Sequence, residues 1–173
     1  TITFYYHLYK KKGMSIGEIV NGKIVPNKYG EILENCWNDL PNHYQNLKLD
    51  QFVVMPNHVH GIIIIENNNN TIDCQDAIDI RNTIVETGLK PVSTGTSGTP
   101  GTSGKTHGLF EFIRALKTFS ARRINEYRQT PGTSVWQTRF SDHIIRDEND
   151  LNRIRKYIIE NPSNWKMDEY TEV

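Results

Sequence analysis

The sequence predicts a single domain of mixed helix and strand structure, of the α+β or the α/β class. Its 173 residues are enough to enclose one hydrophobic core. Segments rich in β-branched and aromatic residues alternate along the chain with segments in which apolar residues recur at helical spacing. Only two cysteines, Cys36 and Cys74, are present, and they are far apart in sequence, so neither a disulfide framework nor a thiolate zinc site is predicted.

The first 65 residues predict five strands and one helix. In chain order these are a strand at 2–9, a hairpin at 17–26, a helix from 28 to about 40, and strands at 47–55 and 58–65. Asn21-Gly22 suits the tight turn of the hairpin. Asn27 can cap the helix, whose end is predicted at Pro41. Pro56-Asn57 is a link short enough for a hairpin, so the last two strands are predicted to pair antiparallel.

Residues 67–104 differ in composition from the rest of the chain. The segment begins with four asparagines and ends in a stretch rich in Thr, Ser and Gly. A connection of this length is uncommon within a compact domain unless it is flexible or functional. We therefore predict one domain, residues 1–173, interrupted by a mobile insertion at 67–104.

The C-terminal part predicts two helices separated by an extended segment. The predicted elements are a helix at 108–128, an extended segment at 135–145, and a helix from 147 or 149 to about 160. Leu151, Ile154 and Ile158 form the apolar stripe of the last helix. Asn161-Pro162 is predicted to end it, because proline disfavours helical geometry at the residue before it.

Two histidines separated by one residue begin the strand at 58–65. Alternate side chains of a strand point to the same face, so His58 and His60 share a face while Val59 points into the core. Two imidazoles on one rigid face can bind one divalent cation. The alternative is an outer strand face that carries two solvated histidines.

Tyr157 and Asn161 lie one turn apart on a common face of the last predicted helix. A tyrosine hydroxyl is a poor nucleophile unless its phenolate is stabilised or a base takes its proton. A metal ion held by two imidazoles and an amide oxygen could polarise a phosphodiester beside it. The alternatives are a half-buried helix aromatic and an asparagine that tolerates the turn before Pro162.

Charge is distributed unevenly along the chain. The formal net charge is zero, from 20 basic and 20 acidic residues, but basic residues outnumber acidic ones by five between 105 and 157. Such a segment is compatible with phosphate binding by one face, and a solvated helix surface is the alternative. No segment approaches the roughly 18 apolar residues of a membrane span, and residues 1–12 lack a signal peptide, so we expect a soluble intracellular protein.

The motifs around these candidate residues resemble those of the single-tyrosine HUH transposases, and within them the branch called REP-associated tyrosine transposases. The matching segments are 53–64, 113–120, 136–137, 140, 142–143, 145–147 and 157–162. The resemblance extends from residue 17 to residue 165 and includes both the His-x-His pair and the tyrosine followed four residues later by Asn or Gln.

The resemblance implies a ferredoxin-like antiparallel sheet with helices packed on one face, the histidines on a central strand and the tyrosine on a C-terminal helix. It identifies His58, His60 and Asn161 as ligands of Mg²⁺ or Mn²⁺, and Tyr157 as the nucleophile. It implies nicking and rejoining of single-stranded DNA beside a hairpin through a 5′-phosphotyrosine intermediate. Rejoining conserves the bond energy, so no nucleotide cofactor is expected.

The expected DNA contacts are basic side chains of the long helix and of the segment before the last one. They are Arg114, Lys117, Arg122, Arg123 and Arg146. Lys117 matches a basic position in the long helix of the family. A cytoplasmic, nucleoid-associated monomer or homodimer without a membrane partner is expected.

Two other functions remain open on the sequence. One is a metal-dependent hydrolase that activates water, which would need a carboxylate ligand, and the carboxylate close to the histidines in sequence is Glu66. The other is a relative that keeps the fold and binds DNA without catalysis.

Overall fold

The computed structural model describes residues 1–11, 13–66 and 108–167, with side chains as far as Trp165. The predicted insertion at 67–104 lies outside the described residues. The strands are β1 (Ile2–Tyr9), β2 (Gly17–Val20), β3 (Lys23–Pro26), β4 (Leu47–Val54), β5 (His58–Ile65) and β6 (Ser141–Ile145). The helices of the described part are α1 (Lys28–His43), α2 (Leu109–Tyr127) and α3 (Glu148–Glu160), followed by a 3-10 helix at Asn161–Met167.

Four strands form an antiparallel sheet in the order β4-β5-β1-β6, and β2 pairs with β3 as a separate hairpin. The central strands of the sheet are therefore β5 and β1. Their register places His7 opposite His60 and Tyr9 opposite His58. The register between β4 and β5 shifts between Leu49 and Phe52, which is the mark of a β-bulge.

The alternation of side chains along the strands divides the sheet into two faces. The main core lies between one face and helices α1 and α2, and includes Tyr6, Leu8, Val59, Leu33 and Leu116. A smaller core lies between the other face and α3, and consists of Ile62, Ile145, Ile154 and Ile158. The two histidines of β5 alternate with Val59 and therefore belong to the face that α3 covers.

The predicted mixed α+β fold with an antiparallel sheet is confirmed. Helices α1 and α2 pack on one face of the sheet, as predicted. Helix α3 lies across the opposite face. The physical reason is the composition of β5, which is apolar on both faces beyond its histidines. Both faces therefore need cover, and the amphipathic α3 supplies it for the second face.

Most predicted boundaries agree with the structure, and α1 is an exception. Asn21 and Gly22 have φ values of 52° and 72°, the left-handed conformation of a primed hairpin turn. The side chain of Asn27 caps α1 as predicted. The helix continues past Pro41 to His43, because Leu40 is buried in the core and the proline removes only one helical hydrogen bond.

The extended segment predicted at 135–145 joins the main sheet only at Ser141–Ile145, with a single bridge from Trp136 to Lys10. Asp147 caps α3, which ends at Glu160 as predicted. Asn161 nevertheless keeps helical dihedral angles, φ −55° and ψ −44°, and the chain continues as a 3-10 helix. Within the described ranges, no helix combines the length and apolar composition needed to cross a bilayer.

Candidate active site

His58 and His60 converge at the start of β5. Both side chains are buried, and their Nε2 atoms lie 2.8 Å apart. Each ring is also held at its other nitrogen. Nδ1 of His58 lies 2.6 Å from Oδ1 of Asn57, and Nδ1 of His60 lies 2.7 Å from the hydroxyl of Tyr5.

These contacts are satisfied by an arrangement of protons in which both rings are neutral. The amide oxygen of Asn57 can only accept, so Nδ1 of His58 donates and its Nε2 lone pair faces His60. Nε2 of His60 donates to that lone pair, and Nδ1 of His60 accepts from Tyr5. In this arrangement each imidazole is neutral and is oriented by a neighbouring side chain.

Burial explains why the rings stay neutral. It lowers the pKa of His58 to about 3, with a smaller contribution from the charge of His7. Burial also lowers the pKa of His60 well below its ordinary value, with His58 and His7 acting in the same direction. A neutral imidazole is the form that binds a metal ion. Both rings are thus neutral at physiological pH, and ligation through Nε2 of His60 requires its proton to lie on Nδ1, facing the Tyr5 hydroxyl.

Helix α3 places Tyr157 beside the pair. The rings of Tyr157 and His60 meet edge to face, with centroids 5.3 Å apart. Ile154 and Ile158 of the same helix are buried against the sheet, whereas the side chain of Tyr157 is 44% exposed. The phenol is therefore next to the histidines and accessible from solvent.

Asn161 lies between two residues that contact the histidines. Tyr157 is four residues before it, and Trp165, four residues after it, has its ring centroid 5.9 Å from that of His58. The Asn161 side chain is buried, and its Oδ1 atom has no hydrogen-bond partner among the described residues. A buried amide oxygen without a partner is costly, so this position favours a donor or a cation from outside the chain.

The site fits the divalent ion that the resemblance implies. Two ligands held about 2.1 Å from one ion at right angles lie about 3 Å apart, close to the observed spacing of the two Nε2 atoms. Among the described residues, no three His, Cys, Asp or Glu side chains gather into a metal-binding group. The candidate ligands are therefore His58, His60 and the amide oxygen of Asn161.

Three residues of β1 belong to the site and were missed in the sequence. Tyr5, His7 and Tyr9 alternate along the strand and face the histidine pair. The ring centroid of His7 lies 5.5 Å from that of His60 and 6.3 Å from that of His58. The alternation of Tyr, His and Tyr was visible in the sequence, but its meaning depends on the pairing of β1 with β5.

No protein-family model matches the sequence. A protein of Haemophilus influenzae, described as uncharacterised, is 33% identical over 161 residues, which cover 92% of this chain and 79% of that protein. The chain belongs to the same family as that protein. A solved structure, described as a REP-associated tyrosine transposase bound to a REP hairpin, matches with a TM-score of 0.56 and 14% identity, covering 97% of this chain and 70% of that one. The chain has the REP-associated tyrosine transposase fold.

Within this transposase fold, the basic residues of α2 lie on the other side of the sheet from the histidines. Helix α2 packs with α1 on the main core, whereas His58, His60 and Tyr157 occupy the opposite face. The sheet therefore separates the expected DNA contacts of this helix from the histidine pair, and their role in DNA binding stays a prediction. The cause of this separation is the strand alternation of β5, which assigns the histidines and Val59 to different faces.

Several of the predicted DNA-binding residues have partners within the protein. The ammonium of Lys117 donates to the backbone carbonyls of Gln137, Thr138 and Arg139, at 2.9, 3.1 and 3.5 Å. The remaining pairs are Arg123 with Cys36 and Asp39, and Arg122 with Glu126. Arg114 is exposed on α2, and Arg146 is exposed directly after β6.

Glu66 is remote from the histidines. It follows the last residue of β5, six residues after His60, which corresponds to roughly 20 Å along an extended strand. Its carboxylate pairs with Lys48. Glu66 therefore does not supply the carboxylate that the hydrolase alternative requires.

Proposed function

We propose that this protein is a single-stranded DNA transposase and endonuclease, which nicks and rejoins hairpin-bearing DNA through Tyr157. The proposal rests on one observation, the packing of an accessible tyrosine ring against a buried pair of neutral histidines whose Nε2 atoms converge. The solved relative with this fold is described as bound to a REP hairpin, which supports a folded DNA strand as the partner.

The reaction exchanges one phosphodiester for another. The Tyr157 oxygen attacks the phosphorus and forms a P–O bond, and its proton passes to water. The bond from phosphorus to the 3′-oxygen breaks, and that oxygen takes up a proton to leave as a 3′-hydroxyl. The phosphate remains on the tyrosine as a 5′-phosphotyrosine. Attack by the 3′-hydroxyl of another strand reverses these changes, so no nucleotide cofactor is needed.

The residues around Tyr157 have separate tasks in this proposal. His58, His60 and Asn161 hold Mg²⁺ or Mn²⁺, and the ion supplies Lewis-acid polarisation of the phosphate when bound. Asn57 and Tyr5 orient the two imidazoles through their Nδ1 atoms. The apolar stripe of α3 fixes the tyrosine helix on the sheet of its own chain, which supports a site that one chain completes.

The decisive experiment is covalent trapping with Tyr157→Phe. Incubation of the wild type with hairpin-bearing single-stranded DNA and Mn²⁺ should give a protein–DNA adduct on a denaturing gel. Tyr157→Phe should give none while its DNA affinity stays within about twofold, because the hydroxyl acts in the chemical step. The matched control is Tyr127→Phe, which alters a tyrosine that is 57% exposed on α2.

The same assay tests the metal ligands. Asn161→Ala should raise the Mn²⁺ concentration for half-maximal adduct formation by roughly tenfold, the lower end of what lost metal-site contacts cost. Asn164→Ala, in the same 3-10 helix and exposed, should leave it unchanged. If Tyr157→Phe formed the adduct at the wild-type rate, the assignment of Tyr157 as the nucleophile would be refuted. DNA binding without any adduct from the wild type would favour the catalytically idle relative.

A further inference from the structure

Helix α3 is attached to the sheet by two polar links in addition to its apolar stripe, one from Asp150 to His143 of β6 at 2.8 Å and one from Arg155 to Asp50 of β4. Arg155 contacts Asp50 of β4 through three short distances, which are 3.3 Å from Nε to Oδ1, 3.1 Å from Nε to Oδ2 and 2.6 Å from Nη2 to Oδ2. The Asp50 side chain is 10% exposed and that of Arg155 is 33% exposed. Two nitrogens of a planar guanidinium on one mostly buried carboxylate form a contact with a defined direction.

Both partners are held in place on their own elements. Asp50 lies where the register of β4 shifts between Leu49 and Phe52, and a bulge of this kind redirects a side chain. Arg155 also contacts Asn152 at 3.4 Å and Glu148 at 3.7 Å, one and two turns earlier on α3. The pair is therefore a fixed link between the helix and the edge strand β4.

The ion pair and the tyrosine lie on opposite flanks of the helix. At 100° per residue, Arg155 and Tyr157 fall on either side of the buried stripe that contains Ile154 and Ile158. Apolar contacts along the stripe are non-directional, and they restrain a roll of the helix about its axis less than a directional polar link does. A link on one flank resists that roll and so controls the other flank.

The consequence for Tyr157 follows from the dimensions of a helix. Side chains extend about 5–6 Å from the helix axis, so a roll of 10° moves their ends by about 1 Å. A displacement of about 1 Å at a reacting group can lower a rate by about 100-fold. The rate of the reaction at Tyr157 therefore depends on the rotation of α3 about its own axis.

We propose that the Asp50–Arg155 pair sets the rotation of α3 and so holds Tyr157 against His60, which makes Arg155 a positioning residue. The proposal rests on the role of Tyr157 given above for catalysis, but the placement of the ring can be measured without catalysis. Asp50 acts with Arg155 as one unit, so loss of either partner has the same effect.

The first test is the rate of adduct formation at saturating hairpin DNA and Mn²⁺. Arg155→Ala and Asp50→Asn should each lower this rate by 10- to 100-fold while DNA affinity, measured in the Tyr157→Phe background, is unchanged. The exchanged pair Asp50→Arg with Arg155→Asp should recover part of the rate. Arg153→Ala is the matched control, because Arg153 lies on the same helix and pairs with Asp150 of α3 itself.

The second test measures the placement of the ring directly. The aromatic ring of Tyr157 should shift the NMR signals of His60, and Arg155→Ala should remove this shift well below the unfolding temperature, whereas Arg153→Ala should keep it. A shift that persists in Arg155→Ala, or a wild-type adduct rate in that variant, would overturn the proposal. A lost shift together with no adduct from the wild type would support the positioning role and refute the catalytic one.

Discussion

At the scale of single residues, burial determines what the two site histidines can do. Removing His58 and His60 from water makes protonation expensive, and their contacts with Asn57 and Tyr5 are compatible with neutral rings. The same burial that keeps the imidazoles neutral, and so able to bind a cation, lowers the stability of the folded protein in acid. A group whose pKa is lowered by folding stabilises the folded state only while it remains unprotonated.

This argument predicts the pH dependence of stability. The pKa of His58 is about 3 in the folded protein and about 6.5 in an unfolded chain. Below pH 6.5 the unfolded chain therefore binds more protons, and the free energy of unfolding should fall by up to about 1.4 kcal/mol per pH unit for each of His58 and His60. Urea unfolding between pH 7.5 and pH 5 measures this slope.

One variant in this experiment separates His58 from other titrating groups. His58→Gln should reduce the slope, because it removes one of the two buried rings of the pair. An identical slope in the wild type and His58→Gln would contradict the prediction. The comparison is made without metal, because a bound ion would add its own proton linkage.

At the scale of elements, Lys117 connects α2 to the segment that leads into β6. Its ammonium donates to three successive carbonyls and lies 5.6 Å from the ring centroid of Phe140. Burial lowers the pKa of Lys117, which agrees with a role inside the protein. Lys117 matched a basic position in the long helix of the family, but its ammonium donates hydrogen bonds within its own chain.

We therefore predict a stability effect for Lys117. Lys117→Ala should lower the free energy of unfolding by roughly 1–2 kcal/mol, because a charged donor is lost and three carbonyls lose a partner. Arg114→Ala, one turn earlier and exposed, should change it by less than about 0.5 kcal/mol. Chemical denaturation of the three proteins measures the difference. Equal stabilities would show that the contacts of Lys117 contribute nothing.

At the scale of the whole molecule, the sheet separates the histidine site from the basic surface of α2. A DNA strand that contacts both the histidine site and the basic surface of α2 must pass around an edge of the sheet. Contacts on α2 would then change the affinity for DNA but not the rate of the reaction at Tyr157. Three basic residues are exposed on α2: Arg114, Arg122 in a weak surface pair with Glu126, and Arg123 in contact with Cys36 and Asp39.

The corresponding prediction separates binding from chemistry. Arg114→Ala with Arg122→Ala should weaken the binding of hairpin DNA and flatten the log-log salt dependence by about 1.4, or about 0.7 for each lost phosphate contact. The rate of adduct formation at saturating DNA should stay at the wild-type value. An unchanged salt slope would exclude α2 from the DNA-binding surface, and a changed preference among hairpins would indicate base contacts.

Local patterns in the sequence were enough to predict most elements, whereas the candidate site residues were chosen through the resemblance of their motifs to a family. The Asn21-Gly22 turn, the Asn27 and Asp147 caps and the stripes of α2 and α3 depend on neighbouring residues, and each is present in the structure. The spacing of His58 with His60, and of Tyr157 with Asn161, is likewise local. Their catalytic and metal-binding roles stay predictions until the adduct assay is done.

The tertiary structure decided which of these local features meet. His7 joins the site because β1 pairs with β5 in one register, and α2 is excluded from it because strand alternation sends Val59 and the histidines to opposite faces. Asp50 meets Arg155 although the two residues are 105 positions apart in the chain. Each of these outcomes depends on hydrogen-bond register and packing between residues far apart in the chain, which residue spacing within one segment does not contain.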